Sequence, residues 1–338
     1  MANIGIIGAG SWGTALTFEL TNNGNQVTIW SIDPSEVRMI NEQHEQTVKL
    51  PGVRLPESVH ATSDLEGAIC GRDLLVLAVP SPFTRSTARS MAPFVPEGML
   101  IVSVAKGVEE DSLLTLTQII EEEIPQCRTA VLSGPTHAEE VGQGLPTAIV
   151  AGAARRGDAL YVQDVFMSDV FRVYTSPDVL GIQIGGALKN VAALAAGIAD
   201  GLGYGDNTKA ALITRGMAEI ARLGMAMGGR QESFTGLTGI GDLIVTCASM
   251  HSRNRRAGIL IGQGRTPQEA MDEVQQVVEG VYSAKAARQL SARYGIETPI
   301  IEQVCLVLEE GKDPADAVRD LMLRDKKIES NALEWEIE

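Results

Sequence analysis

Apolar residues in the first half of the chain come in short runs, broken by glycine, proline and polar turns. NIGII (3–7), QVTIW (26–30), DLLVLAVPS (73–81), MLIVSVAKG (99–107), TAVLSGP (129–135), PTAIVAG (146–152) and FRVYTS (171–176) predict strands. DLLVLAVPS and MLIVSVAKG are almost continuously apolar, as parallel strands covered on both faces require. Beyond residue 178 the pattern changes to helical spacing. VLGIQIGGALKNVAALAAGIA (179–199) predicts a buried helix, and TKAALITRGMAEIARLGMAMG (208–228) an amphipathic one ending at Gly228-Gly229. TPQEAMDEVQQ (266–276) opens with Thr266 as N-cap, Pro267 at the first helical position and Glu269 in capping-box position. Residues 283–294, 299–310 and 313–323 also read as helices, the last beginning Asp313-Pro314. The chain therefore divides into an α/β domain (1–178) with a larger mixed sheet and an all-helical domain (179–325), with no long linker, internal repeat or low-complexity tract. Residues 326–338 form an acidic tail, expected to be a flexible, solvated extension.

The first strand runs into Gly8, Gly10 and Gly13, the GxGxxG spacing, and then into a helical pattern. Those glycines permit a tight turn, close approach of a pyrophosphate and tight helix–strand packing, with the anion on the helix N-terminus. In this strand–turn–helix context they predict a Rossmann-type dinucleotide-binding domain. After the second strand stands Ser31-Ile32-Asp33. Asp33 reads equally as an acid for the ribose 2′-OH of NAD or as an N-cap before Pro34, and Arg38 could swing back, so the choice between NAD and NADP stays open here. Ligands of open α/β sheets bind outside the carboxyl ends of the strands. Pro80-Ser81, Lys106-Gly107 and Gly134-Pro135-Thr136 fall there, which favours Lys106 as a contact for an anion.

Lys189 is the lone charge in the 179–199 run. A buried ammonium needs partners and has a depressed pKa, as general acid–base chemistry at neutral pH uses. A snorkelling lysine or a structural ion pair is the alternative. A membrane span is rejected, because Lys189-Asn190 lies mid-segment, Gly185 and Gly186 weaken it, and no basic cluster flanks it. GLTGIGDLIVTC (236–247) is a glycine-rich turn with one acid, Asp242. HSRNRRAG (251–258) is the densest basic cluster in this acidic chain, suited to phosphate oxygens, with a solvated arginine-rich loop as the alternative. Glu279 lies in a short turn before the next helix, whose N-terminus it would support.

The 338 residues carry a formal net charge of −15, which argues against nonspecific binding to nucleic acid or anionic membrane. The four cysteines form no CxxC pair and no signal peptide is visible, so reduced thiols in the cytoplasm are expected. The four histidines have no metal-ligand spacing, and no metal is expected.

A dinucleotide domain, a buried lysine and an arginine cluster together suggest hydride transfer on a small phosphorylated substrate. Lys189 would exchange a proton with the substrate oxygen, Asp242 would orient its ammonium, Asn190 would assist by hydrogen bonding, and Arg253 with Asn254 would anchor the phosphate. GAGSWGTAL, SVAKG, SGPTHAEE, GGALKNVAALAAG, TGIGDLIVTC, HSRNRR and QVVEGVYSA, in that order, resemble the motif series of bacterial-type NAD(P)-dependent glycerol-3-phosphate dehydrogenases from residue 4 to about 325. The resemblance implies reduction of dihydroxyacetone phosphate by NAD(P)H to sn-glycerol 3-phosphate for phospholipid synthesis, in a cytoplasmic homodimer. It implies Lys189 as the acid–base residue. It further implies substrate contacts at Lys106, Gly134, Thr136, Asp242, Ser252, Arg253 and Asn254, and cofactor contacts at Ser11, Trp12, Lys106, Ala138, Arg253, Val277 and Glu279. Two departures stand out: Ser31-Ile32 where many members carry a basic or imidazole side chain, and His137 in place of the aromatic of SGPTFA. Rival readings are a β-hydroxyacid or 6-phosphogluconate-type dehydrogenase, against which HSRNRR and GIGDL speak, and a noncatalytic dinucleotide sensor, which would not need Lys189, Asp242 and Arg253 together.

Overall fold

The computed structural model describes residues 1–326, 328 and 329, so most of the acidic tail lies outside the described residues. Eight strands form one sheet: β1 (Asn3–Ile7), β2 (Gln26–Trp30), β3 (His60–Thr62), β4 (Leu74–Leu77), β5 (Leu100–Ser103), β6 (Arg128–Ser133), β7 (Thr147–Ala153) and β8 (Phe171–Ser176). Their order is β3-β2-β1-β4-β5-β6-β7-β8. The first six run parallel, β7 is antiparallel to β6, and β8 is parallel to β7, giving the expected mixed sheet. The 3-2-1-4-5-6 order is that of a doubly wound dinucleotide fold, with its switch point between β1 and β4.

Seven helices cover the sheet: α1 (Ser11–Asn22), α2 (Pro34–Gln43), α3 (Leu65–Ile69), α4 (Thr84–Met91), α5 (Leu116–Glu123), α6 (Ala138–Val141) and α7 (Arg156–Phe166). Ile4 and Ile6 of β1 pack into the core on one face of the sheet, and Ile7 into the core on the other. The sequence pattern misses β3 because three residues, HAT, are too short to show an alternation. It also overextends β4 and β5 into their C-terminal turns, which carry functional candidates rather than ladder bonds.

The helical domain contains α8 (Val179–Gly201), α9 (Asp206–Ala226), α10 (Gln231–Thr235), a π-helical turn (Leu237–Gly241), α11 (Asp242–Ala248), α12 (Arg253–Gly262), α13 (Pro267–Val274), α14 (Glu279–Tyr294), α15 (Pro299–Glu309) and α16 (Pro314–Met322). Two readings change here. The solvated-loop alternative for HSRNRRAG is set aside: Ser252 caps α12 by accepting from Arg255 N at 3.2 Å, so Arg253 and Asn254 occupy its first turn. α14 starts four residues before the predicted 283, placing Glu279 in the helix itself.

α8 is the central rod of this domain and is 89% buried over its most apolar window, a core helix despite a length that could cross a membrane. It crosses α12 through glycines on both partners. A Cβ at Gly197 would fall 2.1 Å from Arg255 O, and one at Gly258 would fall 2.2 Å from Leu194 O. With Gly201 and Gly262 extending the contact, the backbones nearly touch, and the first turn of α12 is fixed beside the middle of α8.

Candidate active site

The carboxyl ends of β1, β4, β5 and β6 lead into Gly8, Ser81, Lys106 and Gly134. Gly8 has φ +123°, and a Cβ there would lie 2.9 Å from Ala78 C and Val79 N, so only glycine fits the turn. Gly13 presses on the Gly8 carbonyl, where a Cβ would come within 1.9 Å. Gly10 differs, because its Cβ would meet nothing within 4 Å. Gly10 is also the N-cap of α1 and supplies no side-chain cap. Open space above an uncapped helix N-terminus is the cradle a pyrophosphate requires, so these residues fit a dinucleotide. Ser11 donates its hydroxyl to Lys49 O at 2.6 Å, and Trp12 packs on the edge of the core. Asp33 accepts from Ser35 N at 2.8 Å as the N-cap of α2, one of the two roles left open for it.

Lys189 lies in mid-α8 and is 6% exposed. Its Nζ donates to Asp242 Oδ1 at 2.7 Å and to Thr246 Oγ1 at 2.6 Å. Asp242 and Thr246 stand one turn apart on α11, and Thr246 also donates to the Asp242 carbonyl at 2.6 Å. The π-helical turn packs closely on α8, where a Cβ at Gly185 would lie 2.8 Å from Thr238 O; this delivers Asp242 to Lys189. The other Asp242 oxygen accepts from Lys106 Nζ at 2.7 Å, and Lys106 also donates to Gly134 O at 2.8 Å. One carboxylate from the helical domain thus joins a lysine of each domain.

Burial pushes the Lys189 pKa down to about 8, helped by the neighbouring Lys106 charge and opposed by Asp242. Burial works to raise the Asp242 pKa, but the two ammonium groups outweigh it and hold the carboxyl below its ordinary value. Thr246 went unnoticed in the sequence, although its i+4 spacing from Asp242 on a helical run was the available signal.

Thr136 donates to Gly134 O at 3.2 Å on the same turn, and Ala138 begins α6 behind it. His137 faces His251 from the opposite domain, with ring centroids 5.7 Å apart, and burial followed by the Lys189 charge holds its pKa below the ordinary histidine value. Asn190 does not bond to Lys189, contrary to expectation. Its Oδ1 accepts from Asn254 Nδ2 at 3.0 Å, while Asn254 Oδ1 accepts from Gly280 N at 2.8 Å, tying α8, α12 and α14 together. The Asn254 amide is therefore partly committed within the protein.

The arginine cluster divides. Arg255 turns away to Asp200 at 2.8 Å and to the Ala248 carbonyl, and Arg256 is exposed. Arg253 is half-buried and, among the described residues, makes no hydrogen bond; its charge acts on Glu279. Glu279 supports not its own helix but the other domain: it accepts from Ser81 N at 3.1 Å and from the Ser81 hydroxyl. Burial raises the Glu279 pKa, opposed by those two bonds and by Arg253. Val277 lies half-buried in the turn just before it. Among the described residues no group of three or more His, Cys, Asp or Glu side chains is arranged to hold a metal ion.

A glycine turn at the switch point of a doubly wound sheet, facing a helical unit that delivers a buried lysine to the same edge, defines a two-domain NAD(P)-dependent dehydrogenase. The family models narrow the class. That for the NAD-dependent glycerol-3-phosphate dehydrogenase N-terminus matches residues 3–159 and that for its C-terminus residues 178–319, and the chain belongs to this family. It is 63% identical over 335 residues to an NAD(P)+ glycerol-3-phosphate dehydrogenase of Agathobacter rectalis, covering 99% of this chain and 100% of the relative. It is 57% identical to one of Fusobacterium nucleatum, covering 97% and 99%. The crystal structure of glycerol-3-phosphate dehydrogenase from Coxiella burnetii, 37% identical, superposes with a TM-score of 0.92 over 96% of this chain and 99% of that one. With the family goes NAD(P)-dependent glycerol-3-phosphate dehydrogenase activity on a small phosphorylated substrate.

Proposed function

We propose that the enzyme reduces dihydroxyacetone phosphate to sn-glycerol 3-phosphate, reversibly, with Lys189 as the acid–base residue. The observation that carries this is the coordination of Lys189. An ammonium has three N–H groups, and two are committed to Asp242 and Thr246. The third is left for a substrate oxygen. When bound, the reduced nicotinamide supplies the hydride to the carbonyl carbon. Lys189 gives its proton to the carbonyl oxygen as the carbon–oxygen π bond breaks, and in the reverse direction takes the hydroxyl proton back. Asp242 keeps the ammonium aimed and stabilises it against burial. Lys106, with two of its own N–H groups on Asp242 and Gly134, offers its third to the substrate or cofactor and holds the Lys189 pKa near the working range.

Arg253, whose side chain makes no hydrogen bond among the described residues, stands at the N-terminus of α12, where anions are favoured, and its charge acts on Glu279. We assign Arg253 the phosphate, with Ser252, Asn254 and the Gly134–Thr136 turn around it. Glycines 8, 10 and 13 with Ser11 and Trp12 hold the dinucleotide, and Ala138, Val277 and Glu279 complete its surroundings. We place the domain boundary between Asp178 and Val179. We further propose that the enzyme is a cytoplasmic homodimer supplying glycerophospholipid synthesis.

The test is absorbance at the reduced-nicotinamide band with dihydroxyacetone phosphate and NADH or NADPH. Substrate-dependent oxidation of either supports the assignment. Binding of both cofactors with no oxidation of either would remove the substrate and keep the fold.

A further inference from the structure

In dinucleotide folds the adenosine ribose lies between the glycine turn after β1 and the carboxyl end of β2, where an acid favours the 2′-OH and a cation accommodates a 2′-phosphate. In this chain the residues directly after β2 are unsuited to a phosphate. The Ser31 hydroxyl is donated to Glu36 Oε2 at 2.6 Å, Ile32 is exposed and apolar, and Asp33 is an acid. Glu36, in the first turn of α2, is itself a buried acid.

One side chain spans this corner from elsewhere in the sequence. Lys49 lies in the turn between α2 and β3. Its carbonyl accepts from Ser11 Oγ at 2.6 Å, fixing its backbone against the first turn of α1. Gln46, fully buried, reinforces the attachment: its Nε2 donates to Ala9 O at 3.2 Å, and its Oε1 accepts from Lys49 N at 3.3 Å. At the other end, Lys49 Nζ pairs with Glu36 Oε1 at 2.5 Å, bringing the ammonium to the end of β2. Lys49 therefore bridges the two elements that frame the ribose. The charges acting on Asp33 at this corner are those of Lys49 and Arg38. Arg38 is exposed and, among the described residues, makes no hydrogen bond or ion pair, so Lys49 is the cation held in place.

We propose that Lys49 is the residue that distinguishes NADPH from NADH in this chain, its ammonium taking the 2′-phosphate while Glu36 holds it in position; the inference rests on the dinucleotide-binding reading above. With a 2′-OH the Lys49–Glu36 pair stays closed, and the same corner accepts NADH. With a 2′-phosphate the ammonium is shared between the phosphate and Glu36. Without that ammonium the buried Glu36 carboxylate would confront the phosphate directly, which costs binding.

Fluorescence titration of NADPH and of NADH, with no phosphorylated substrate present, tests this independently of turnover. Lys49→Met is expected to weaken NADPH about 10-fold or more while NADH changes less than about twofold. Lys49→Arg keeps the cation and is expected to retain NADPH binding, which guards against misreading a folding defect. The NADPH dissociation constant of the wild type should also rise more steeply with salt than that of Lys49→Met. Equal weakening of both cofactors by Lys49→Met, or no change in either, would overturn the proposal. Failure of wild type to bind either cofactor would overturn the dinucleotide reading together with it, whereas failure of dihydroxyacetone phosphate to turn over would leave it standing.

Discussion

Replacing Lys189 by Ala removes the proton donor while leaving the glycine turn and α1 untouched. The expected cost is about 10²–10⁴ in kcat, with NAD(P)H affinity by fluorescence titration nearly intact. Arg253→Ala removes the guanidinium, and a lost charge-assisted phosphate contact is expected to raise KM for dihydroxyacetone phosphate by roughly 10- to 100-fold. Steady-state kinetics at saturating cofactor check this, and an unchanged KM would place the phosphate elsewhere. Lys189 was legible because it is the lone charge in an apolar helix. Thr246 was not, because a threonine between valine and cysteine carries no mark of chemistry until α11 brings it one turn above Asp242. That Arg255 is tied to Asp200 was not legible, since only the fold brings the two together.

At the scale of elements, backbone contacts set where the side chains stand. Gly258→Ala would drive a methyl group into the Leu194 carbonyl of α8. An overpacking cost of about 1–3 kcal/mol is expected, read as a lower midpoint in urea unfolding, with activity reduced because Arg253 and Asn254 begin the displaced helix. Gly10→Ala should behave oppositely: the added Cβ meets open space, so stability should be little changed while cofactor affinity falls. The β1–turn–α1 unit was legible because apolar run, glycine spacing and helical period agree. The entry into α12 was not, because Arg, Asn and Arg are polar and short of any apolar stripe, and the Ser252 cap is visible only once the helix is known. Glu279 misled for another reason: an acid at a helix start ordinarily serves that helix, whereas here it binds Ser81, 198 residues away.

Across the whole molecule, the junction between domains includes the Lys106–Asp242 pair, the Ser81–Glu279 contact, the bonds of Gln183 to Thr115 and Thr117, and the His137–His251 contact, and local pattern reveals none of these. Another buried acid bears on stability. Glu219 of α9 accepts from Ile300 N at 2.9 Å and Ile301 N at 3.3 Å in the first turn of α15. Burial, opposed by those bonds, pushes its pKa up to about 7 from 4.5. Below pH 4.5 the group is protonated in folded and unfolded chains alike, and its contribution to stability is fully present. As pH rises through 7 the folded state must ionise a buried carboxyl, and that contribution is lost. Glu219→Gln is therefore expected to flatten the fall of Tm over this range relative to wild type; parallel Tm curves would contradict the assignment.

The acid–base role of Lys189 is tested most directly by the pH dependence of kcat measured in both directions at saturating substrates. Reduction requires the ammonium, so its kcat should fall as pH rises past about 8, and oxidation of glycerol 3-phosphate requires the neutral amine, so its kcat should rise through the same region. Mirror-image profiles with a shared inflection, both abolished in Lys189→Ala, are the predicted result. Profiles of the same sense in the two directions, or an inflection that survives the substitution, would contradict it.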